Sequence, residues 1–275
     1  MLSVNPAVVA AGRATSAVLA ARDRVAGPRG GLLLLGWHAV DKTGSGLVTT
    51  FDELRRHLDA IGDWGTVVRL DQGISGLRDG SLPPRAVVLT FDDGYAGVAE
   101  LAWPELKSRG WPATLFAVSG YLDGGRTFPW DDPSAASARL LTAAELRAVA
   151  DDGLDIGSHT VTHRWLPHLD AAAVGAELRD SKAALEDLLQ RSVTTFAYPM
   201  GGWDARIRHA VVAAGYDAAV TVDRGRNTAR TDVYALRRAF APPDAADVTR
   251  ILGGAYTFLR PLDSWRTRNG PAWQP

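Results

Sequence analysis

From Gly31 to Arg238 short apolar runs alternate with longer amphipathic stretches, and this alternation restricts the fold more than any other feature of the chain. The apolar runs are GLLLLGW (31–37), TVVRL (66–70), AVVLTF (86–91), ATLFAV (113–118), LDIGS (154–158), TTFAYP (194–199), DAAVTV (217–222) and YALRR (234–238). Most are too short for anything but strands. Between them FDELRRHLDAI, AGVAELAWPELKSRG, TAAELRAVADDG, DAAAVGAELRDSKAALEDLLQ, DARIRHAVVAAG and PDAADVTRILGG carry helical spacing, and several open on Thr or Asp and close on Gly. Strands that alternate with helices are parallel strands joined by helical crossovers. About seven to eight such units predict an α/β fold of the (β/α) barrel kind rather than an open doubly wound sheet. With 275 residues, 46% of them hydrophobic, one domain can bury the whole of that core.

Charge and cysteine content remove several function classes. The formal net charge of −1 leaves no basic footprint for nucleic acid or an anionic membrane surface. There are no cysteines, so disulfides and thiolate metal sites are excluded and any metal must rest on His, Asp, Glu or other oxygen donors. Residues 1–29 are Ala-rich, but Arg13, Arg22 and Asp23 interrupt them well short of a membrane span. Their first basic residue falls inside the apolar stretch rather than before it, unlike a secretory signal. They read as an appended helix or partly ordered leader, which favours the cytoplasm. Residues 30–260 form the expected domain and 261–275 a tail. Residues 121–140 read as a long excursion after the fourth strand, where substrate contacts are often made.

The run RAVVLTFDDG ends a buried strand on two adjacent carboxylates, Asp92 and Asp93. Two such charges repel, and in a dry setting one is forced neutral unless a cation is near. LDIGS in turn runs into HTVTH, which places His159 and His163 four residues apart at another strand end. Barrel sites gather at the C-terminal ends of strands, so the two motifs share a rim. Two imidazoles and one carboxylate leave coordination positions open for water and substrate, as catalytic metals require. One aspartate then joins the metal and the other stays free as a general base, but the residues alone do not say which.

TFDDG followed by SHTVTH resembles the polysaccharide deacetylases of carbohydrate esterase family 4, which share the NodB homology domain. The resemblance runs from Leu32 to about Gly254 through VVLTFDDGY, PATLFAV, LDIGSHTVTH, SKAALE, TFAYPMG, AGYDAAVT and LRR. It implies a deformed (β/α) barrel and hydrolysis of N-acetyl groups on an amino-sugar carbohydrate. It assigns Asp92 as the base and Asp93, His159 and His163 as ligands of one divalent metal, most often zinc, with cobalt or nickel the other candidates. In the hydrolysis this implies, the backbone N–H of Tyr95 is expected to help hold the oxyanion.

The match departs from the family at two places. Many members carry an arginine in the third motif that orients the catalytic Asp, but FAYPMGGW (196–203) has none, and Arg238 from the late strand is the expected replacement. The leucine-x-histidine that supplies the acid near the C-terminus is absent as well. His38, at the end of the first strand, resembles instead the N-terminal histidine of a circularly permuted subgroup that deacetylates poly-N-acetylglucosamine, although Trp37 stands where that subgroup has Tyr. His38 is therefore expected as the general acid. His57 and His209 read as surface residues and His168 as loop packing. Tyr198, Pro199, Trp130 and Trp203 are candidates for stacking on sugar. Two other functions fit parts of the pattern: a non-catalytic carbohydrate binder, and a non-haem iron site, whose usual antiparallel fold disagrees with this strand-helix alternation.

Overall fold

The computed structural model describes residues 6–26, 30–44, 48–132, 135–242 and 244–270. Helix α1 (Pro6–Ala26) precedes the sheet. The chain then runs β1 (Leu33–Trp37), β2 (Ala39–Asp41), β3 (Val48–Thr50), α2 (Phe51–Trp64), β4 (Thr66–Val67), α3 (Leu70–Asp79), β5 (Ala86–Asp93), α4 (Trp103–Ser108) and β6 (Thr114–Ala117). It continues through α5 (Ala143–Asp151), β7 (Asp155–Ser158), α6 (Ala171–Leu189), β8 (Thr195–Ala197), α7 (Ala205–Ala213), β9 (Ala218–Val220), β10 (Ala239–Phe240), α8 (Ala245–Leu252) and α9 (Arg260–Asn269). Eight strands form one parallel sheet in the order β10-β1-β5-β6-β7-β8-β9, with β4 also on β5, while β2 and β3 pair separately. No helix among the described residues is long and apolar enough to cross a membrane.

The sheet curls because its two ends are joined by one short stretch. Leu236 donates to the Ala219 carbonyl and accepts from Thr221, which sets it beside β9, and three residues later Ala239 pairs with Leu35 of β1. The strand expected over 234–238 is therefore displaced. Asp232 accepts from the Tyr234 N–H and starts a 3₁₀ turn over Val233–Ala235, so the strand proper begins only at Ala239. The run at 66–70 is likewise cut to two residues, because α3 begins at Leu70, a helix that the apolar run masked.

All eight residues of β5 are buried, as a strand covered on both faces requires. Leu34, Val88, Phe116, Ala197, Val220 and Leu236 pack together on the inner face, and α3 stops its lower end with Leu70 and Ile74. Leu33, Leu35, Val87, Leu89, Leu115 and Phe196 point the other way into the layer of helices. Helix starts follow the expected caps: Thr50 with Glu53 on α2 and Thr142 with Glu145 on α5 form reciprocal capping boxes, and Asp170 and Asp204 cap α6 and α7.

Space in the middle of the sheet is tight at Gly157 of β7, where a Cβ would lie 2.4 Å from the Phe116 ring and 2.7 Å from the Thr195 hydroxyl. Gly157→Ala should lower stability by about 1–3 kcal/mol through overpacking. An unchanged midpoint of urea unfolding would contradict this packing.

Candidate active site

Adjacent strand residues point to opposite faces, so Asp92 and Asp93 should diverge. They do not, because Asp93 has left-handed backbone (φ 76°) and the alternation breaks at the last residue of β5. His159 and His163 converge by the same means. The stretch after β7 is an irregular turn, in which Thr160 (φ 70°) and His163 (φ 59°) are both left-handed. Such conformations cost about 1–3 kcal/mol each for residues with a Cβ, so the surroundings must hold them in place.

The turns bring three ligand-type atoms together. Asp93 Oδ1 lies 3.6 Å from His159 Nε2 and 3.4 Å from His163 Nε2, all buried. His159 Nδ1 is 2.7 Å from the Ala197 carbonyl, which can only accept, so the ring proton sits on Nδ1 and the Nε2 lone pair faces Asp93. Asp93 Oδ1 has no hydrogen-bond partner. A buried carboxylate oxygen left unpaired opposite two imidazoles is the arrangement a cation would complete, and these residues fit a divalent ion. His163 Nδ1 also lacks a hydrogen-bond partner, and its ring is held by contact instead, with centroids 4.9 Å from Trp130 and 5.5 Å from Phe128.

Asp92 has a different partner. Arg238, fully buried, forks onto it with Nη1–Oδ1 of 2.6 Å and Nη2–Oδ2 of 2.7 Å. The same guanidinium donates to the Thr90 hydroxyl (3.2 Å) and the Thr221 carbonyl (3.3 Å) and lies over the rings of Phe116 and Phe240. Burial would raise the Asp92 pKa, but Arg238 and then His159 outweigh it and hold the group below the usual carboxylate value. Asp93 behaves oppositely: burial first, then Asp92 and Asp131, push it well above that value. Burial lowers both His159 and His163, so both are neutral near pH 7, the form in which imidazole binds metals.

Of the remaining candidates, His38 is half-buried and stacks on Phe240 at 4.4 Å. Burial draws its pKa down to about 4 against the pull of Asp92. Tyr95 bridges to Leu140 through hydrogen bonds made by its neighbours, Ala96 and Leu141, a pattern that turns its own N–H away from that ladder. Its hydroxyl donates to Asp131 (2.9 Å) and accepts from Trp130 Nε1 (3.3 Å), which pins the 121–140 excursion over the site with Trp130 half-exposed.

Three expectations need correction. Tyr198 is buried, and its hydroxyl is spent on the Tyr234 carbonyl; Pro199 is buried with it, so neither offers a face to a sugar. His57 is a core residue that accepts from Trp37 Nε1 at 3.2 Å, not a surface one. His209 is exposed as expected, whereas His168, expected as loop packing, is exposed as well.

The sequence pattern of the polysaccharide deacetylase family matches residues 79–219, just over half of the chain. The chain belongs to that family. It is 27% identical over 214 residues to the Bacillus subtilis (strain 168) protein YxkH, which carries a provisional polysaccharide deacetylase name; the match covers 77% of this chain and 72% of that protein. It is 29% identical over 161 residues to the poly-beta-1,6-N-acetyl-D-glucosamine N-deacetylase of Escherichia coli (strain K12), covering 55% of this chain but only 23% of that longer protein. Among solved structures, the Streptococcus pyogenes deacetylase PplD in complex with acetate superposes with a TM-score of 0.71 at 23% identity, over 81% of this chain and 98% of that one. At that identity the likeness speaks for a shared fold.

The raised Asp93 pKa carries a sign. A carboxyl whose folded pKa lies above its unfolded value holds its proton longer in the native state, so the metal-free protein loses stability as pH rises through that interval. Asp93→Asn should therefore be more stable than the metal-free wild type at pH 8, by about 1–3 kcal/mol, with a smaller gap at pH 5. Equal urea midpoints at both pH values would count against a buried, unpaired Asp93.

Proposed function

We propose that the protein is a metal-dependent hydrolase that removes N-acetyl groups from an amino-sugar polymer. The observation that carries this reading is the division of labour between adjacent aspartates: Asp92 held ionised by Arg238, and Asp93 left unpaired opposite His159 and His163. Asp93, His159 and His163 would hold the ion. A divalent metal, with zinc, cobalt or nickel as candidates, supplies Lewis acidity that polarises the acetyl carbonyl and acidifies water.

Asp92 is the general base. It takes a proton from water as the water oxygen attacks the amide carbon, and Arg238 keeps the carboxylate ionised and aimed. The Tyr95 N–H donates to the developing oxyanion. The C–N bond then breaks, acetate leaves, and the sugar nitrogen takes a proton to become the free amine. We assign that transfer to His38. With a resting pKa of about 4 it enters the reaction neutral. The negative charge that develops on the oxygen of the tetrahedral intermediate raises its proton affinity, so it takes up a proton from solvent and passes it to the departing nitrogen, while Asp92 later returns the water proton to solvent. Trp130, half-exposed beside His163, offers an aromatic face to the pyranose. The E. coli relative's name makes poly-β-1,6-N-acetyl-D-glucosamine the first substrate to test, and that assignment rests on a match to a fraction of the relative's length.

Acetate release from such oligomers tests the reading, and its absence with zinc, cobalt and nickel across a panel of N-acetylated glycans would end it. His159→Ala should lose bound metal and turnover together. Asp92→Asn should retain metal while turnover falls about 10²- to 10⁴-fold, the usual contribution of a positioned base. His38→Ala should keep metal and lower kcat by a similar factor, with the alkaline fall in kcat removed. A His38→Ala enzyme with wild-type kcat and an unchanged alkaline limb would assign the acid elsewhere.

A further inference from the structure

The turn that presents His159 and His163 is held mainly by one buried carboxylate of α6, and none of the roles above uses it. Glu177 Oε2 accepts from the backbone N–H of Val161 (2.9 Å) and of Thr162 (3.0 Å), and its Oε1 takes the Thr162 hydroxyl. One helical turn further on, the Ser181 hydroxyl donates to the Thr160 carbonyl (3.0 Å) and shares a 2.8 Å hydrogen bond with Ser158. From the other side Ser119 and Gly120 donate their backbone N–H groups to the Thr160 and Val161 carbonyls at 3.0 and 2.9 Å. A Cβ at Gly120 would come within 2.4 Å of the Val161 oxygen, so the turn has no slack there. Two of the six non-glycine residues with left-handed backbone among the described residues, Thr160 and His163, fall in these four positions.

A turn with two unfavourable backbone angles relaxes unless its N–H groups have acceptors that exist only in that shape. Glu177 supplies them for Val161 and Thr162. Ligand geometry set in this way, by partners one layer out, governs how tightly an ion binds. We propose that Glu177 is a positioning residue that holds the Thr160–His163 turn in its ligand-presenting shape before any ion arrives, an inference that rests on reading Asp93, His159 and His163 as metal ligands. The carboxylate touches neither ion nor substrate. Its effect is to prepay the ordering of the turn.

The test is Co(II) binding to metal-free protein, followed by its visible absorption, in wild type, Glu177→Ala, Glu177→Gln and a control, Tyr216→Phe. The control removes the hydroxyl that donates to the Leu178 carbonyl and also reaches Ser158, so it loosens the seat of α6 while leaving the acceptors of the Val161 and Thr162 N–H groups in place. Glu177→Ala should weaken Co(II) affinity about 10- to 100-fold and change the visible spectrum. Glu177→Gln can accept from both N–H groups through its amide oxygen and should recover most of that affinity, and it also serves if the alanine variant does not fold. Tyr216→Phe should lower the melting temperature while leaving affinity at the wild-type value. Wild-type affinity and spectrum in Glu177→Ala, or an equal loss in Tyr216→Phe, would overturn the proposal. Amide exchange at Val161 and Thr162 in metal-free protein supplies a second readout. It should accelerate in Glu177→Ala and not in Tyr216→Phe. If wild type takes up no Co(II), the metal reading falls, and unaltered exchange at these two amides would then refute the clamp by itself.

Discussion

The fork between Arg238 and Asp92 is the constraint on which the rest of the site depends. Two buried charges gain little net stability over an apolar pair of the same shape, because desolvation offsets their attraction, but removing one partner typically costs about 3–5 kcal/mol. The pair is better understood by what it sets than by what it stabilises. With Asp92 ionised, the neighbouring Asp93 is repelled and buried without a partner, and the two imidazoles beside it are neutral. Counting Arg238 as +1 and both aspartates as −1, the cluster carries a formal −1 before the nearby Asp131 is added. A small cation is the simplest species that relieves such a balance, and its preferred place is on the unpaired carboxylate rather than the paired one.

Much of this was readable in the sequence. Seven of the eight expected strand regions hold a strand of the main sheet, the last being displaced to Ala239–Phe240, and the rim location of TFDDG and HTVTH followed from strand ends. An arginine partner for Asp92 was legible because the third motif lacked one and the late apolar run carried two, Arg237 and Arg238. What could not be read has physical reasons. The left-handed angles at Asp93, Thr160 and His163 fall on residues that seldom adopt them, so no residue type announced that adjacent aspartates would share one face. Tyr198 looked like a sugar contact because aromatics do both jobs, and only the Tyr234 carbonyl, 36 residues away, decides that it is core. His57 sits in an amphipathic helix where polar residues usually face water, and the Trp37 indole draws it inward. Glu177 looked like any charged residue of a long helix, since its partners belong to a turn 15 and 16 residues earlier.

The wall over the site is built from one aromatic stack with polar ends. Phe128 lies parallel to Trp130 at 4.6 Å and packs on Tyr121 at 4.5 Å, and Trp130 and Asp131 are tied to the Tyr95 hydroxyl. Tyr95 thus links the strand end that bears both aspartates to the loop that carries Trp130 and Asp131. Its burial, with Asp93 and Asp131 near, raises its own pKa, so the hydroxyl stays protonated and keeps donating across the working range of pH.

The short stretch that joins the two ends of the curled sheet also carries the arginine. Leu236 is bonded to β9, Ala239 is paired with β1, and Arg238 lies between them, 146 residues from the aspartate it holds. Contacts this distant in sequence are slow to form, because a long loop must close before they contribute. A chain caught with the seam open can have its helices and most of its strands, yet its Asp92 has no guanidinium to orient it. The aim of Asp92 is thereby tied to topological completion, because the fork that fixes it exists only once both edges of the sheet are joined.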